Sequence, residues 1–353
     1  MRNNDFMKNY GFLGIGAFGG NVIKPFEAAG YPCIAANSSA EDLHQLKYAN
    51  NKIHFIGGSG CHKDRRKSKE LLVDNIEPLI KEVKAKMSEI TTLFILASSA
   101  GGTGSGMLAV TAKILRNELG VNICPVTVLP SKSEQFKAFA NTVELFKELE
   151  TLDGIGAMFI LDNDKRKDKF EINNAFYTDL DTLLNNENGS ESGCVDRGEI
   201  DELLRTEGMA VMARLDDNDL ETEGLLVAMI SNSIYAPIAS DKVIRYFCLM
   251  DSKGNVSTKQ IYSTLGNPVD EFIGFGSKNT FCMATGLNLP KTRLNEIRKV
   301  AQVNSEIILQ NMESTSDSLF EDELDFLGAF SDKPAENIKK KVNSLDILGE
   351  FLG

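Results

Sequence analysis

Up to residue 161 the chain alternates short apolar runs with stretches of helical period. The runs at 10–15, 31–36, 53–56, 93–97, 122–129 and 155–161 predict strands. The stretches at 16–29, 68–87, 108–119 and 134–150 predict helices; in 68–87, Leu71, Leu72, Ile76, Leu79, Ile80 and Val83 fall on one side. Pro130 ends the run at 122–129, because it has no N–H to give to a strand ladder. Strands that are apolar on both faces, each followed by a helix, predict an α/β fold with a parallel sheet covered on both sides. Such sheets bind ligands at the carboxyl ends of their strands.

Beyond residue 161 the pattern changes. A long amphipathic helix is predicted over 170–184 and a polar turn over 185–193. Helices follow at 220–238, 258–265 and 291–312, with strands at 243–250, 272–274 and 280–285. This half reads as a second, smaller α/β unit. From residue 313 the tail is acidic and then mixed. It carries "DFLGAF" (325–330) and "DILGEF" (346–351), with Lys339, Lys340 and Lys341 between them. Repeated apolar clusters of this kind either dock on another molecule or pack on their own subunit.

Composition narrows the classes. The 353 residues, 42% hydrophobic, are enough for a large core. A net charge of −12 argues against direct DNA binding. The six cysteines include no CxxC pair and the three histidines no HExxH, which argues against a zinc site or disulfide framework and for a reducing compartment. No apolar run reaches the ~18 residues of a membrane span, and residues 1–10 have no signal-peptide pattern.

The candidate chemistry lies in two glycine loops. "SSAGGTGSGM" (98–107) joins a predicted strand to a predicted helix, and so does "GIGAFGGN" (14–21). A loop leading into a helix N-terminus aims backbone N–H groups outward at the positive end of the helix dipole, which is a phosphate site. Glycines let a phosphate approach closely, and Thr103 and Ser105 add hydroxyl donors. Residues 14–19 also match the GxGxxG dinucleotide fingerprint. That fingerprint needs an acidic residue at the end of the next strand, where this chain has Asn37. A dinucleotide fold also has no use for a second such loop, and the Walker pattern is absent.

"GGTGSG" after "LFILASSA" resembles the signature loop of the tubulin/FtsZ superfamily. "GIGAFGGN" resembles its first nucleotide loop, and "IAANSSAEDL" its second strand and the loop that follows. The likeness runs from about residue 11 to 213 and thins afterwards. It implies a GTP-binding domain over 1–169, a long central helix over 170–190, a smaller α/β activation domain over 191–290, and a C-terminal helix and tail over 291–353. By the same likeness, Ala100, Gly101, Gly102, Thr103, Gly104, Ser105 and Gly106 would hold the GTP phosphates. Gly16, Ala17, Phe18, Gly19, Gly20 and Asn21 would face the α- and β-phosphates and the sugar. Gly58, Ser59 and Gly60 would sense the γ-phosphate. Asn163, in "ILDND", would contact the base, Phe170 would stack on it, and Asn174 would join it one helical turn on.

The family places two acids, three residues apart, at the foot of the central helix, and Asp196 and Glu199 match. They would enter the neighbouring subunit's pocket and polarise the attacking water. The same pair would also suit the first turn of a helix starting near Gly198. The chain departs from the pattern at Ala100, where the family has glycine, and at "CHKDRR" (61–66), which replaces the usual γ-phosphate run. In the segment after 130, Lys132 and Glu134 stand near the division protein's Arg and Glu. The likeness implies Mg2+ with GTP or GDP; whether Asp64 or water alone holds the ion stays open.

Glu199 in place of Asp, the absence of Trp, and a helix that starts directly after 279–290 fit the TubZ type of plasmid- and phage-borne partition tubulins. That type implies a cytoplasmic GTPase whose subunits assemble head to tail. It would segregate DNA through a TubR-like DNA-binding adaptor on a centromere-like DNA site, with no membrane partner. Three alternatives remain: a phage tubulin positioning DNA without an adaptor, an FtsZ-like division GTPase, and a nucleotide-binding enzyme that does not polymerise.

Overall fold

The apolar runs of the first half are strands: β1 (Tyr10–Ile15), β2 (Cys33–Asn37), β3 (Lys52–His54), β4 (Thr92–Ser98), β5 (Asn122–Leu129) and β6 (Ala157–Asp162). This is a computed structural model, and it describes residues 4–185, 190–215, 222–238 and 244–316. The helices are α1 (Asn4–Met7), α2 (Gly16–Ala29), α3 (Ala40–Gln45), α4 (Arg65–Lys86), α5 (Thr103–Leu119), α6 (Phe136–Leu149), α7 (Lys169–Asn185), α8 (Arg197–Arg205), α9 (Thr222–Met229), α10 (Thr258–Leu265) and α11 (Lys291–Ser316). Strands β7 (Gly208–Leu215), β8 (Ile244–Asp251), β9 (Pro268–Phe275) and β10 (Thr280–Leu287) complete one mostly parallel sheet.

The strand order is β3-β2-β1-β4-β5-β6-β7-β10-β8-β9. Pairing is parallel from β3 through β7. β10 then runs antiparallel between β7 and β8, and β8 pairs parallel with β9. β7 therefore joins the second half to the first through the registers Ala157↔Gly208, Met158↔Met209 and Phe159↔Ala210. α2 packs with α7, whereas α4, α5, α6 and α11 form a consecutive series. An aromatic chain ties α2 and α7 to the sheet. Phe12 stacks on Phe26 at 4.0 Å and on Phe94 at 4.9 Å, and Phe159 meets Phe176 edge-on at 5.6 Å. Each of these rings is fully buried, which stabilises the fold by about 1.5–3 kcal/mol per side chain.

Two expectations need correction. The helix expected over 220–238 is α9 alone within the described residues. After Met229 the chain turns, and Tyr235 forms a bridge with Leu161 of β6. Tyr235 is fully buried, so that stretch is held against the sheet and cannot continue as an exposed helix. The strand expected at 272–274 extends over all of β9. Its outer residues Val269, Asp270 and Glu271 are exposed, so they leave no apolar run to read. β7 and α3 were not expected. The tail repeats at 325–330 and 346–351 lie outside the described residues.

Candidate functional site

β1 and β4 are neighbours, with Ile15 opposite Ala97, so the two glycine loops leave the same sheet edge side by side. Gly16 opens α2 at φ +72, a conformation that a residue with a Cβ adopts only with strain. A Cβ there would lie 3.5 Å from the Gly104 nitrogen, so the loops touch. Neither α2 nor α5 has a side-chain N-cap. The N–H groups of both first turns are left for a ligand at the positive ends of two long helices. Not every glycine is there for a ligand. A Cβ on Gly19 would sit 2.1 Å from the Leu96 carbonyl, and one on Gly106 would sit 1.9 Å from Ser68 Oγ. Gly101 differs, because a Cβ there would meet nothing within 4 Å.

The loop after β3 closes on the same place. Gly60 N–H donates to the Ser38 carbonyl at 3.0 Å, and His54 Nε2 lies 3.0 Å from the Gly58 carbonyl. Ser38 Oγ and Thr103 Oγ1 share a hydrogen bond of 2.7 Å. Ser105 Oγ turns inward to the Gly101 carbonyl, and its residue is fully buried. The two hydroxyls expected as phosphate donors thus hold the loop's own shape, which leaves the backbone N–H groups as its outward donors. Ser59 is exposed between half-buried Gly58 and Gly60. His62 and Lys63 adopt φ of 49 and 62, left-handed values uncommon without glycine and a mark of local strain. Asp64 caps α4 by accepting from Lys67 N–H at 3.1 Å.

One residue that the sequence did not single out fastens these loops together. Asn141 of α6, 8% exposed, donates through Nδ2 to the carbonyls of Lys63 (3.1 Å), Ala100 (3.3 Å) and Gly101 (3.0 Å). On an amphipathic helix an asparagine reads as solvent-facing, so nothing in the periodicity marks it.

The residues expected at the base flank the same edge. Asn163 follows β6 and is half-buried; its N–H donates to the Leu129 carbonyl at 3.2 Å. Phe170, on the first turn of α7, is 61% exposed, and Asn174 one turn later is also exposed. An exposed aromatic of that size is not core packing. On α2, Ala17 and Asn21 are exposed, Phe18 is half-buried and Gly20 is buried.

Asp196 and Glu199 stand elsewhere. They form a capping box on α8: Asp196 Oδ1 accepts from Glu199 N–H at 2.9 Å, and Glu199 Oε2 accepts from Asp196 N–H at 2.8 Å. α8 packs against the starts of the strands. Asn122, which opens β5, donates to the Leu204 carbonyl at 2.9 Å. Tyr10, which opens β1, is hydrogen-bonded with Arg197 and Asp201, and burial together with Asp201 pushes its phenol up to about 12. The acids therefore lie at the amino edge of the sheet and the glycine loops at the carboxyl edge, about 20 Å apart along strands of six to seven residues.

Among the described residues no cluster of three or more His, Cys, Asp or Glu could hold a metal ion, and no helix is long and apolar enough to cross a membrane. Residues 12–170 match the family described as Tubulin/FtsZ family, GTPase domain. The chain is 27% identical over 302 residues to "Tubulin-like protein TubZ" of Clostridium botulinum C phage, covering 82% of each. Its fold is similar to that of the C-terminal tail truncated Clostridium botulinum phage c-st TubZ, with a TM-score of 0.77, 25% identity and coverage of 85% and 99%. It is also similar to a GTPγS-form protofilament of Bacillus thuringiensis serovar israelensis TubZ, with a TM-score of 0.72 over 89% and 95% of the two chains; at 16% identity that likeness is one of fold.

Proposed function

From the match of residues 12–170 to the tubulin/FtsZ GTPase domain, we propose that the chain is a GTPase of that type and assembles head to tail, each subunit completing the active site of the next. The observation that carries this is the separation of the two halves of the chemistry. The phosphate-type loops occupy the carboxyl edge of the sheet and the paired acids the amino edge. Within one subunit they cannot meet, but stacked in a row they face each other.

In this reading the N–H groups at the start of α2 and α5 hold the phosphates, with the loop at 58–60 closing over the last of them. Asn163 presents a donor and an acceptor to guanine, while Phe170 offers its exposed ring face and Asn174 a second amide. Asp196 and Glu199 of the adjoining subunit orient the attacking water and take its proton. Mg2+ would supply charge neutralisation to the phosphates; Asp64, whose backbone nitrogen lies beside Gly102 and whose Oδ1 caps α4, is the acidic residue of this loop that could hold it.

The domain division at 169 and 190, a cytoplasmic location, and segregation of plasmid or phage DNA through a TubR-like adaptor belong to the same proposal. Its supports are the similarity to TubZ and a net charge of −12, which leaves DNA contact to another protein. The repeated tail motif is proposed to dock on the next subunit or on the adaptor. A pelleting assay tests the whole: GTP should bring the protein down and GDP should not, and truncation after Lys333 should weaken pelleting without weakening nucleotide binding. Protein that stays in the supernatant with GTP at every concentration removes the proposal.

A further inference from the structure

Arg293 sits on the first turn of α11, yet it is only 5% exposed. Its guanidinium gathers two other segments. Nε donates to Asp162 Oδ2 at 2.8 Å, and Nη2 lies 3.2 Å from Asp162 Oδ1, 2.7 Å from Asp164 Oδ2 and 2.9 Å from the Pro130 carbonyl. Nη1 reaches Glu296 of its own helix at 3.4 Å. The two aspartates flank Asn163. Asp164 Oδ1 also accepts from Lys132 N–H at 2.9 Å, and Asp162 Oδ1 from Asp164 N–H at 3.0 Å. The residues on both sides of Asn163 are thus held by one side chain, while the side-chain amide of Asn163 makes no hydrogen bond among the described residues.

A buried ion cluster is a weak source of net stability, because desolvation offsets most of the attraction. What it supplies here is geometry. A guanidinium engages one carboxylate through two nitrogens and a second carboxylate at a fixed angle, which an ammonium cannot reproduce. We propose that Arg293 is the positioning residue for guanine recognition, holding the turn that aims Asn163 at the base and so linking the seating of α11 to the choice of nucleotide. This rests on the reading above that Asn163 contacts the base. Linkage is reciprocal, so a bound guanine nucleotide also favours the seated α11.

The test is a titration with GTPγS and with ATPγS, run below the assembly threshold, on the full chain and on Asn163→Ala, Arg293→Lys, Asp164→Asn and the double variant Asn163→Ala/Arg293→Lys. The full chain should prefer GTPγS. Asn163→Ala should lower that preference about tenfold, Arg293→Lys should lower it to a similar degree, and the double variant should be no worse than Asn163→Ala alone. If Arg293→Lys does not fold, Asp164→Asn decides: its carboxylate is 26% exposed, and its loss leaves the Arg293–Asp162 pair in place. It should give a smaller fall in preference. A lower melting temperature with the parental preference kept would make the cluster merely structural and overturn the inference. No preference in the full chain, or none lost in Asn163→Ala, would instead remove the underlying reading of Asn163.

Discussion

Asp196 and Glu199 have a complete structural reason to exist, since each satisfies the other's N–H at the start of α8. A test of the catalytic role proposed for them therefore needs a variant that keeps the cap. Glutamine also closes a capping box, so Glu199→Gln should fold and assemble like the parent. Without its carboxylate it should hydrolyse GTP about a hundredfold more slowly or worse. Parental turnover in Glu199→Gln would show this acid to be a cap and nothing more. Gly101 offers the converse case. Its Cβ position is open, so Gly101→Ala should change stability by less than about 0.5 kcal/mol. If the loop cradles phosphate, the added methyl should weaken GTP binding severalfold in a nucleotide titration, and unchanged affinity would place the phosphates elsewhere. Residue types at these positions were legible because their chemistry is local: glycines before a helix, acids at a helix start. The inward turn of the Thr103 and Ser105 hydroxyls was not, because it depends on Ser38 and on the path of the loop itself.

The parallel half of the sheet was legible because strands buried on both faces are apolar throughout and are separated by helical periods. β7 escaped because "GMAVMARL" is a short apolar run of Met, Ala and Leu, residues as much at home in a buried helix; periodicity does not separate the two. The first half of β9 escaped for the opposite reason, as part of a sheet-edge strand that faces water there. Helix α6 was expected, but not its task of fastening the glycine loop and the segment at 61–64 through Asn141. Asn141→Ala would leave those carbonyls without their shared donor at a cost of about 1–3 kcal/mol. It should therefore lower the melting temperature modestly and weaken GTP binding more than an exposed substitution on α6 such as Lys137→Ala. Equal nucleotide affinity in the two variants would deny the clamp any part in the site.

For the whole molecule the decisive feature is polarity. One mostly parallel sheet carries the glycine loops at its carboxyl edge and the paired acids at its amino edge, and similar folds are found in TubZ protofilaments. In the proposed reading neither edge is a complete catalytic site alone, so hydrolysis and assembly would be one process seen by two assays. Arg293 adds a link from the turn at 162–164 to α11. GTP turnover per subunit, measured across a dilution series that passes through the assembly threshold, tests this most directly. Coupling of hydrolysis to assembly predicts turnover that is near zero below the threshold and rises with the fraction of subunits in filaments. Turnover per subunit that stays constant through the threshold would contradict it, because each subunit would then hold a complete active site of its own.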